Sequence, residues 1–170
     1  MNADPKATEQ AARGSDSGSF TEMASAVAGH PFLQGFSIAQ LNQMAQCAGM
    51  RDLESGELVF KQGDPARAFY LIVWGTVSLT HAGLNGNTSI QTLTAGDALG
   101  WSWLFPPYGW HFSAMTVEPT RLIAFDGERL RQLCREQHDL GYEFMNRIAQ
   151  VVIDRLQHTR RKLFRLTCEL

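Results

Sequence analysis

Hydrophobic and polar positions divide the chain into a short helical start, a β-rich middle and a helical end. Ser37 and Gln40 have the spacing of a helix-capping box, and apolar residues follow at helical intervals, which predicts a helix over 37–48. Short β-prone runs then alternate with turn residues, and Asn85-Gly86 is typical of a hairpin turn. This pattern predicts a compact antiparallel β-roll, jelly-roll-like, over about 49–126, with strands within 57–64, 68–75, 76–83, 87–97, 111–118 and 120–126.

Helical periodicity returns at the end of this segment. Asp126 is placed to cap a helix over 126–137, because a carboxylate at that position accepts hydrogen bonds from the first free backbone amides. From Asp139 onward the chain contains no proline, and apolar residues recur at three- and four-residue spacing, which predicts one long helix. Its apolar stripe consists of Leu140, Phe144, Ile148, Val152, Leu156, Thr159, Leu163 and Leu166.

A stripe of this length exceeds what one small β-roll covers. We therefore expect the surplus to pack against a second copy, as in a two-stranded coiled coil, and predict a homodimer. A single helix that folds back along its own roll is the alternative. The predicted dimer residues are Phe144, Ile148, Val152, Leu156 and Leu163.

The N-terminal segment differs from the rest in composition. Residues 1–19 are small and polar, with alanine as the main apolar type, which predicts a disordered tail. One domain is predicted over 20–170, with C-terminal helices over about 127–168. The fold class is then α+β, an antiparallel β-roll flanked by a short N-terminal helix and a long C-terminal helix.

Composition and charge narrow the function classes. A net charge of −2 favours neither nucleic acid nor a membrane surface as a partner. Cys47, Cys134 and Cys168 are widely spaced and form no CxxC pair, so reduced thiols in a cytoplasmic protein are expected, with no zinc site. No nucleophile, phosphate-loop or clustered metal-ligand motif is present. We therefore predict a protein that is not an enzyme, with no catalytic and no metal-binding residues.

The segment LVFKQGDPARAFYLIVWGTVSL at 58–79 carries a resemblance to a known family. Gly63-Asp64, Phe69-Tyr70-x-Ile72, Gly75-x-Val77 and Gly96-Asp97, in this order and spacing, resemble the cyclic nucleotide-binding domain family, in particular its catabolite activator-like sensor domains. The resemblance covers about residues 30–166. It also implies that RLQHT at 155–159 is the part of the long helix that approaches the nucleotide base.

In that family, the segment matching residues 96–116 is the phosphate-binding cassette, with a Gly-Glu pair and, further on, an Arg before Ser or Thr and Ala. Here Trp101 stands in the Glu position and Phe112 in the Arg position. The resemblance therefore implies a degenerate cassette, and cyclic AMP is not expected in its usual pose. His111 and Arg121 are candidate replacements for the lost phosphate anchor. The predicted pocket residues are Gly100, Trp101, Ser102, Trp103, His111, Phe112, Ser113, Ala114 and Thr159.

These observations leave three interpretations. The first is a non-enzymatic regulatory or sensor module, whose aromatic residues would suit a flat apolar or nucleotide-like ligand. The second is a protein-interaction or dimerisation module whose pocket is filled by the same aromatics. The third is a true receptor for cyclic AMP or cyclic GMP with altered anchors.

Two further ligand classes are disfavoured. No CxxCH motif is present and the histidines are isolated, so heme is not expected. No cofactor is assigned with certainty, and a cyclic nucleotide stays a candidate. Transcription factors of this family carry a helix-turn-helix domain after the long helix, and the sequence to Leu170 includes none, so DNA binding is not expected. The basic cluster RRKLFR at 160–165 is interpreted as a solvated face or a docking patch for a protein partner.

Overall fold

The computed structural model describes residues 21–83 and 86–168, and the predicted tail over 1–19 lies outside this range. Two four-stranded antiparallel sheets form a β-roll between helices, which confirms the predicted α+β fold. The strand orders are β1-β8-β3-β6 and β2-β7-β4-β5. The elements are α1 (21–29), a 3-10 helix Pro31–Leu33, α2 (Ile38–Ala45), β1 (Ala48–Leu53), β2 (Leu58–Phe60), β3 (Ala68–Trp74), β4 (Thr76–Gly83), β5 (Gly86–Thr94), β6 (Ala98–Leu99), a 3-10 helix Trp101–Leu104, β7 (Ser113–Thr116), β8 (Thr120–Asp126), α3 (Gly127–Glu136) and α4 (His138–Cys168).

Local signals place several of these elements correctly. Ser37 accepts a hydrogen bond from the Gln40 amide, and the Gln40 side chain accepts one from the Ser37 amide, so the predicted capping box is confirmed. The hairpin is also confirmed, since β4 and β5 pair as far as Gly83 opposite Gly86. The predicted turn at Asn85-Gly86 falls partly on positions 84–85, which lie outside the described residues.

The boundaries near the first helix differ from the prediction. Helix α2 ends at Ala45 instead of continuing to 48, and β1 begins at Ala48. Strand β1 pairs only with β8, at the edge of its sheet, and none of its six residues is fully buried. Because an edge strand with a charged sequence lacks the apolar alternation of a core strand, the hydrophobic pattern did not indicate it.

Strand β3 has both faces covered, which divides the core into two layers. On one face, the Phe69 ring contacts Phe32, Trp103 and Phe144, which come from the two 3-10 helices and from α4. On the other face, Tyr70 points into the roll. Helices and sheet therefore share an aromatic cluster, and the cassette segment lies next to both layers.

Helices α3 and α4 meet at a close crossing. Asp126 caps α3 by accepting hydrogen bonds from the amides of Glu128 (2.9 Å) and Arg129 (3.0 Å), which confirms the predicted cap. At the start of α4, a Cβ atom on Gly141 would lie 2.4 Å from the carbonyl oxygen of Cys134. Only glycine permits this approach of the two helices.

Helix α4 contains 31 residues, and its environment changes along its length. Phe144 and Ile148 are buried in the chain's own core, whereas Leu156 and Leu163 are each 64% exposed. Phe144 and Ile148 are therefore not available to a second copy, which corrects their assignment to the dimer surface. For Val152, Leu156 and Leu163 the assignment stays a prediction. No helix among the described residues has the length and hydropathy needed to cross a membrane.

Candidate ligand pocket

The cassette begins with two glycine turns. The amide of Gly96 donates to the carbonyl oxygen of Ile72 (2.9 Å), and the Asp97 carboxylate accepts from the Thr94 amide (2.8 Å). Gly100 then adopts a left-handed conformation with φ 84°, directly before the 3-10 helix Trp101–Leu104. A Cβ atom there would lie 3.0 Å from the ring of Trp110, so glycine is needed both for the backbone and for this aromatic contact.

Trp110 occupies the interior of the roll beside Gly100. Its ring stacks on Phe60 with a centroid distance of 3.9 Å and an angle of 14° between the planes, and Tyr70 lies on the same cluster. Its amide donates to the carbonyl oxygen of Asp64 (2.9 Å), and its carbonyl oxygen accepts from the Gly63 amide (2.9 Å). The Gly63-Asp64 turn thus holds the backbone that places this indole.

A second aromatic pair lies at the rim. The Trp101 ring stacks on His111 with a centroid distance of 5.3 Å, and the His111 Nδ1 atom lies 3.0 Å from the Ser102 hydroxyl. His111 is thus engaged by its neighbours, and its predicted role as a phosphate anchor stays a prediction. Arg121 does not reach this region, because the pairing of β1 with β8 sets it opposite Asp52, to which its Nε atom donates at 2.6 Å. Its suggested role as an anchor is therefore corrected.

Little space remains between these side chains. The pocket has a volume of about 10 Å³, which is room for about one water molecule. Its lining residues are Phe60, Leu79, Gly100, Trp101, Ser102, Trp110, His111, Phe112 and Arg155.

Arg155 reaches the pocket from α4. Its Nη2 atom donates to the carbonyl oxygen of Ala98 on β6 at 2.5 Å. Burial lowers the pKa of its guanidinium to about 10, and the negative charge of Asp97 opposes this shift. The group therefore stays protonated at neutral pH and places a positive charge against a pocket whose lining is mostly aromatic.

Residues 50–137 match the sequence model of the cyclic nucleotide-binding domain. The chain belongs to the cyclic nucleotide-binding domain family. This confirms the resemblance carried by the Gly-Asp turns and the β3–β4 segment.

The chain is also similar to individual proteins of known sequence or structure. The chain is 32% identical over 133 residues to Glutaminase 1 of Bradyrhizobium diazoefficiens, which covers 76% of this chain and 21% of that protein. It is 25% identical over 113 residues to the CRP-like cAMP-activated global transcriptional regulator of Mycobacterium tuberculosis, which covers 66% of this chain and 49% of the regulator. It thus spans about a fifth to a half of the length of these curated relatives. Among solved structures, a protein described as cyclic nucleotide-binding from Geobacter metallireducens matches with a TM-score of 0.68 and 27% identity, covering 75% of this chain and 92% of that one.

Within this cyclic nucleotide-binding fold, five of the nine predicted pocket residues line the pocket and four do not. Trp103 is fully buried on the other side of the sheet, between Phe69 and Phe144. Ser113 and Ala114 lie in β7, where the Ser113 hydroxyl accepts from a backbone amide and Ala114 is buried. Thr159 is exposed, four residues beyond Arg155 on α4. The residues that line the pocket as predicted are Gly100, Trp101, Ser102, His111 and Phe112.

Phe60, Leu79, Trp110 and Arg155 also line the pocket. The predicted pocket residues did not include them, although Trp110 lies in the cassette segment and Arg155 in the RLQHT segment that the resemblance brings near the nucleotide base. A signal for Arg155 was present, because it lies seven residues after the buried Ile148 and therefore on the same face of α4. For the aromatic and aliphatic positions, hydrophobicity predicted burial but could not distinguish a filled pocket from ordinary core.

His30 lies beneath the cassette and is buried. Its Nδ1 atom accepts from the Phe32 amide (3.2 Å), and its Nε2 atom lies 3.0 Å from the carbonyl oxygen of Ile72. The proton therefore resides on Nε2, and burial lowers the pKa of the imidazole below its usual value. With both ring nitrogens engaged, His30 is not available as a heme ligand. Among the described residues, no three histidine, cysteine or acidic side chains are grouped to hold a metal ion.

Proposed function

We propose that this chain is a non-enzymatic regulatory module of the cyclic nucleotide-binding fold whose family pocket is closed by its own side chains. The observation that supports this most strongly is the pocket volume of about 10 Å³, since small-molecule sites typically have about 300–1,000 Å³. The Trp110 ring takes the space beside Gly100, and Trp101 covers the rim. A nucleotide would have to displace both indoles.

The missing anchors support the same proposal. Trp101 and Phe112 stand where the family carries its ribose-binding Glu and phosphate-binding Arg. A charged hydrogen bond contributes about 1.5–3 kcal/mol, so losing two removes about 3–6 kcal/mol. A site with micromolar affinity, at about −8.2 kcal/mol, would then bind with a Kd between about 0.2 mM and about 20 mM.

A titration with cyclic AMP tests this proposal. Isothermal calorimetry of the unchanged protein should detect no binding up to millimolar nucleotide. The triple variant Trp101→Glu, Phe112→Arg, Trp110→Ala should bind, because it restores both anchors and opens the space. The double variant without Trp110→Ala should bind cyclic AMP more weakly than the triple variant. Trp74→Glu, on the exposed end of β3, is the control and should behave like the unchanged protein. Micromolar binding by the unchanged protein would refute the proposal.

The regulatory output is proposed to pass through α4. Arg155 joins this helix to β6, so α4 is held against the roll without a ligand. On the face about 90° around the helix from Arg155, residues recur with the three-four spacing of a coiled-coil heptad. This seam keeps Val152, Leu156 and Leu163 from the dimer surface predicted from the sequence. It consists of Tyr142, Met145, Ala149, Val152, Leu156, Thr159 and Leu163, of which only Val152 is not exposed.

Light scattering after gel filtration tests the dimer. The unchanged protein should elute with twice the chain mass, and Leu156→Arg should elute as a monomer because it puts a charge into the seam. Gln157→Arg, one residue away on the solvent face, is the matched control and should remain dimeric. Equal masses for Leu156→Arg and the unchanged protein would contradict this arrangement.

A further inference from the structure

Outside the closed family pocket, the fold contains a much larger cleft. It lies between the loop at residues 104–108, helix α3 and the first turns of α4, and its volume is about 410 Å³. We call it the α3–α4 cleft. Residues that define it include Leu104, Tyr108, Arg131, Arg135, His138 and Phe144.

We propose that the α3–α4 cleft binds a small organic anion with a flat, apolar body, such as an aryl carboxylate or sulfonate. Its volume falls in the range of about 300–1,000 Å³ that is typical of small-molecule sites. The buried Phe144 ring forms its floor, and the Leu104 side chain and Tyr108 ring contribute apolar walls. A flat apolar group thus finds aromatic partners on more than one side.

The charged residues that line the α3–α4 cleft favour a negatively charged ligand. Arg131, Arg135 and His138 line the cleft, and none of its described lining residues is acidic. The neighbouring cleft beyond Tyr108 differs, since its lining pairs Asp126 and Glu128 with Arg67 and Arg131. An anion is therefore attracted to the α3–α4 cleft more strongly than to its neighbour, where the acidic and basic side chains are equal in number.

Tyr108 and Arg131 line both clefts and form the wall between them. This wall is held in place by contacts within the chain. Tyr108 has a positive φ of 56°, a conformation that is costly for a bulky residue and persists only where its surroundings enforce it. The Arg131 guanidinium lies 4.6 Å from the centre of the Tyr108 ring and donates to the carbonyl oxygen of Trp103. A preorganised wall reduces the entropy lost on binding. Arg135 and His138 are exposed and are left to contact the ligand.

The cleft also borders the proposed dimer seam. Tyr142 and Met145 belong to both surfaces, so a bound anion would lie beside the start of the seam. The ligand contacts described above nevertheless come from one chain. Binding therefore should not require a second copy, which separates this inference from the proposed dimer.

Fluorescence titration with 1-anilinonaphthalene-8-sulfonate tests the site on the full chain. The neutral analogue N-phenyl-1-naphthylamine has the same aromatic body and is titrated in parallel. The double variant Arg135→Gln, His138→Gln should raise the Kd of the sulfonate about 10- to 100-fold, the effect of losing one charged hydrogen bond. The Kd of the neutral analogue should change by less than about threefold. Arg129→Gln, also exposed on α3 but outside the cleft, is the matched control and should leave both unchanged.

Three results would overturn the inference. The double variant could bind the sulfonate as tightly as Arg129→Gln does, which would place the anion elsewhere. It could lose both probes equally, which would show that the cleft does not select charge. Finally, Leu156→Arg could abolish binding, which would make the site one between two copies. Retained sulfonate binding in Leu156→Arg supports a site within one chain.

Discussion

Replacing Trp110 with alanine tests the central structural feature, the indole that fills the family pocket. The ring is 6% exposed and stacks on Phe60 at 3.9 Å, so truncation removes a fully packed aromatic group. Substitutions of this kind cost about 3–5 kcal/mol. For a domain of this size each kcal/mol lowers Tm by about 2–4 °C, so we expect a decrease of about 6–20 °C. Trp74→Ala is the matched control, since Trp74 is 44% exposed and its loss should cost less than about 1 kcal/mol.

Thermal unfolding followed by circular dichroism measures both variants, with and without added indole. The void left by Trp110→Ala is lined by aromatic and aliphatic groups, and apolar cavities of this type bind small aromatic molecules. At ten times its Kd, indole should restore about 1.4 kcal/mol, or about 3–6 °C, in this variant and nothing in the unchanged protein. If Trp110→Ala costs less than about 1 kcal/mol and indole has no effect, the ring does not fill the pocket and the reasoning fails.

Further predictions concern stability elsewhere. Burial lowers the pKa of His30 below 6.5, so as the pH falls the unfolded chain takes up a proton there that the folded chain does not. The contribution of neutral His30 to the free energy of unfolding is therefore fully present above pH 6.5 and is lost as the pH falls. Urea unfolding between pH 8 and pH 5 should show a decrease that is smaller in His30→Gln, and identical slopes would contradict this. Gly141→Ala should destabilise by about 1–3 kcal/mol through contact with the carbonyl oxygen of Cys134, while Gly29→Ala, with open space around it, should not; equal stability of the two variants would refute the close crossing. Arg155→Ala should lower the free energy of unfolding by about 1.5–3 kcal/mol, since it removes a charged hydrogen bond to β6, and unchanged urea unfolding would show that this bond does not hold α4.

Local sequence signals predicted most of the fold. The capping box at Ser37, the cap at Asp126 and the hairpin before Gly86 each depend on neighbouring residues, and all three are present. The strand β6 was missed because it contains only two residues, Ala98 and Leu99, which are too few for a periodic pattern. Short elements of this kind are set by their sheet partner and not by their own sequence.

The face of α4 that is proposed to carry the dimer was predicted less well, for a geometric reason. Residues four apart on an α-helix are offset by about 40°. Steps of four from Leu140 to Leu156 therefore rotate by about 160°, from the buried face to the exposed one. The stripe predicted from the sequence joined two different surfaces, and only burial in the folded chain separates Phe144 from Leu156.

The pocket could not be predicted in its final state because it depends on distant residues. The Trp110 ring is held by a backbone pairing with Gly63-Asp64 and by Phe60, more than 40 positions away in the chain. Composition indicated an aromatic segment without a charged anchor. Whether these rings surround a space or fill it depends on tertiary packing, which has no periodic signature in one sequence.

The close crossing at Gly141 gives α4 the mechanical properties of a lever arm. From Gly141 to Cys168 the helix extends about 40 Å, and among its residues of described burial the buried ones, Leu140, Phe144 and Ile148, lie in the first third. Once the hydrogen bond from Arg155 to Ala98 is released, a tilt of about 5° at the crossing would displace the far end by about 3.5 Å. Movements of the helix too small to open the roll would thus become larger at its distal end. The point about which the helix tilts is Gly141, where the absence of a Cβ atom permits the close crossing.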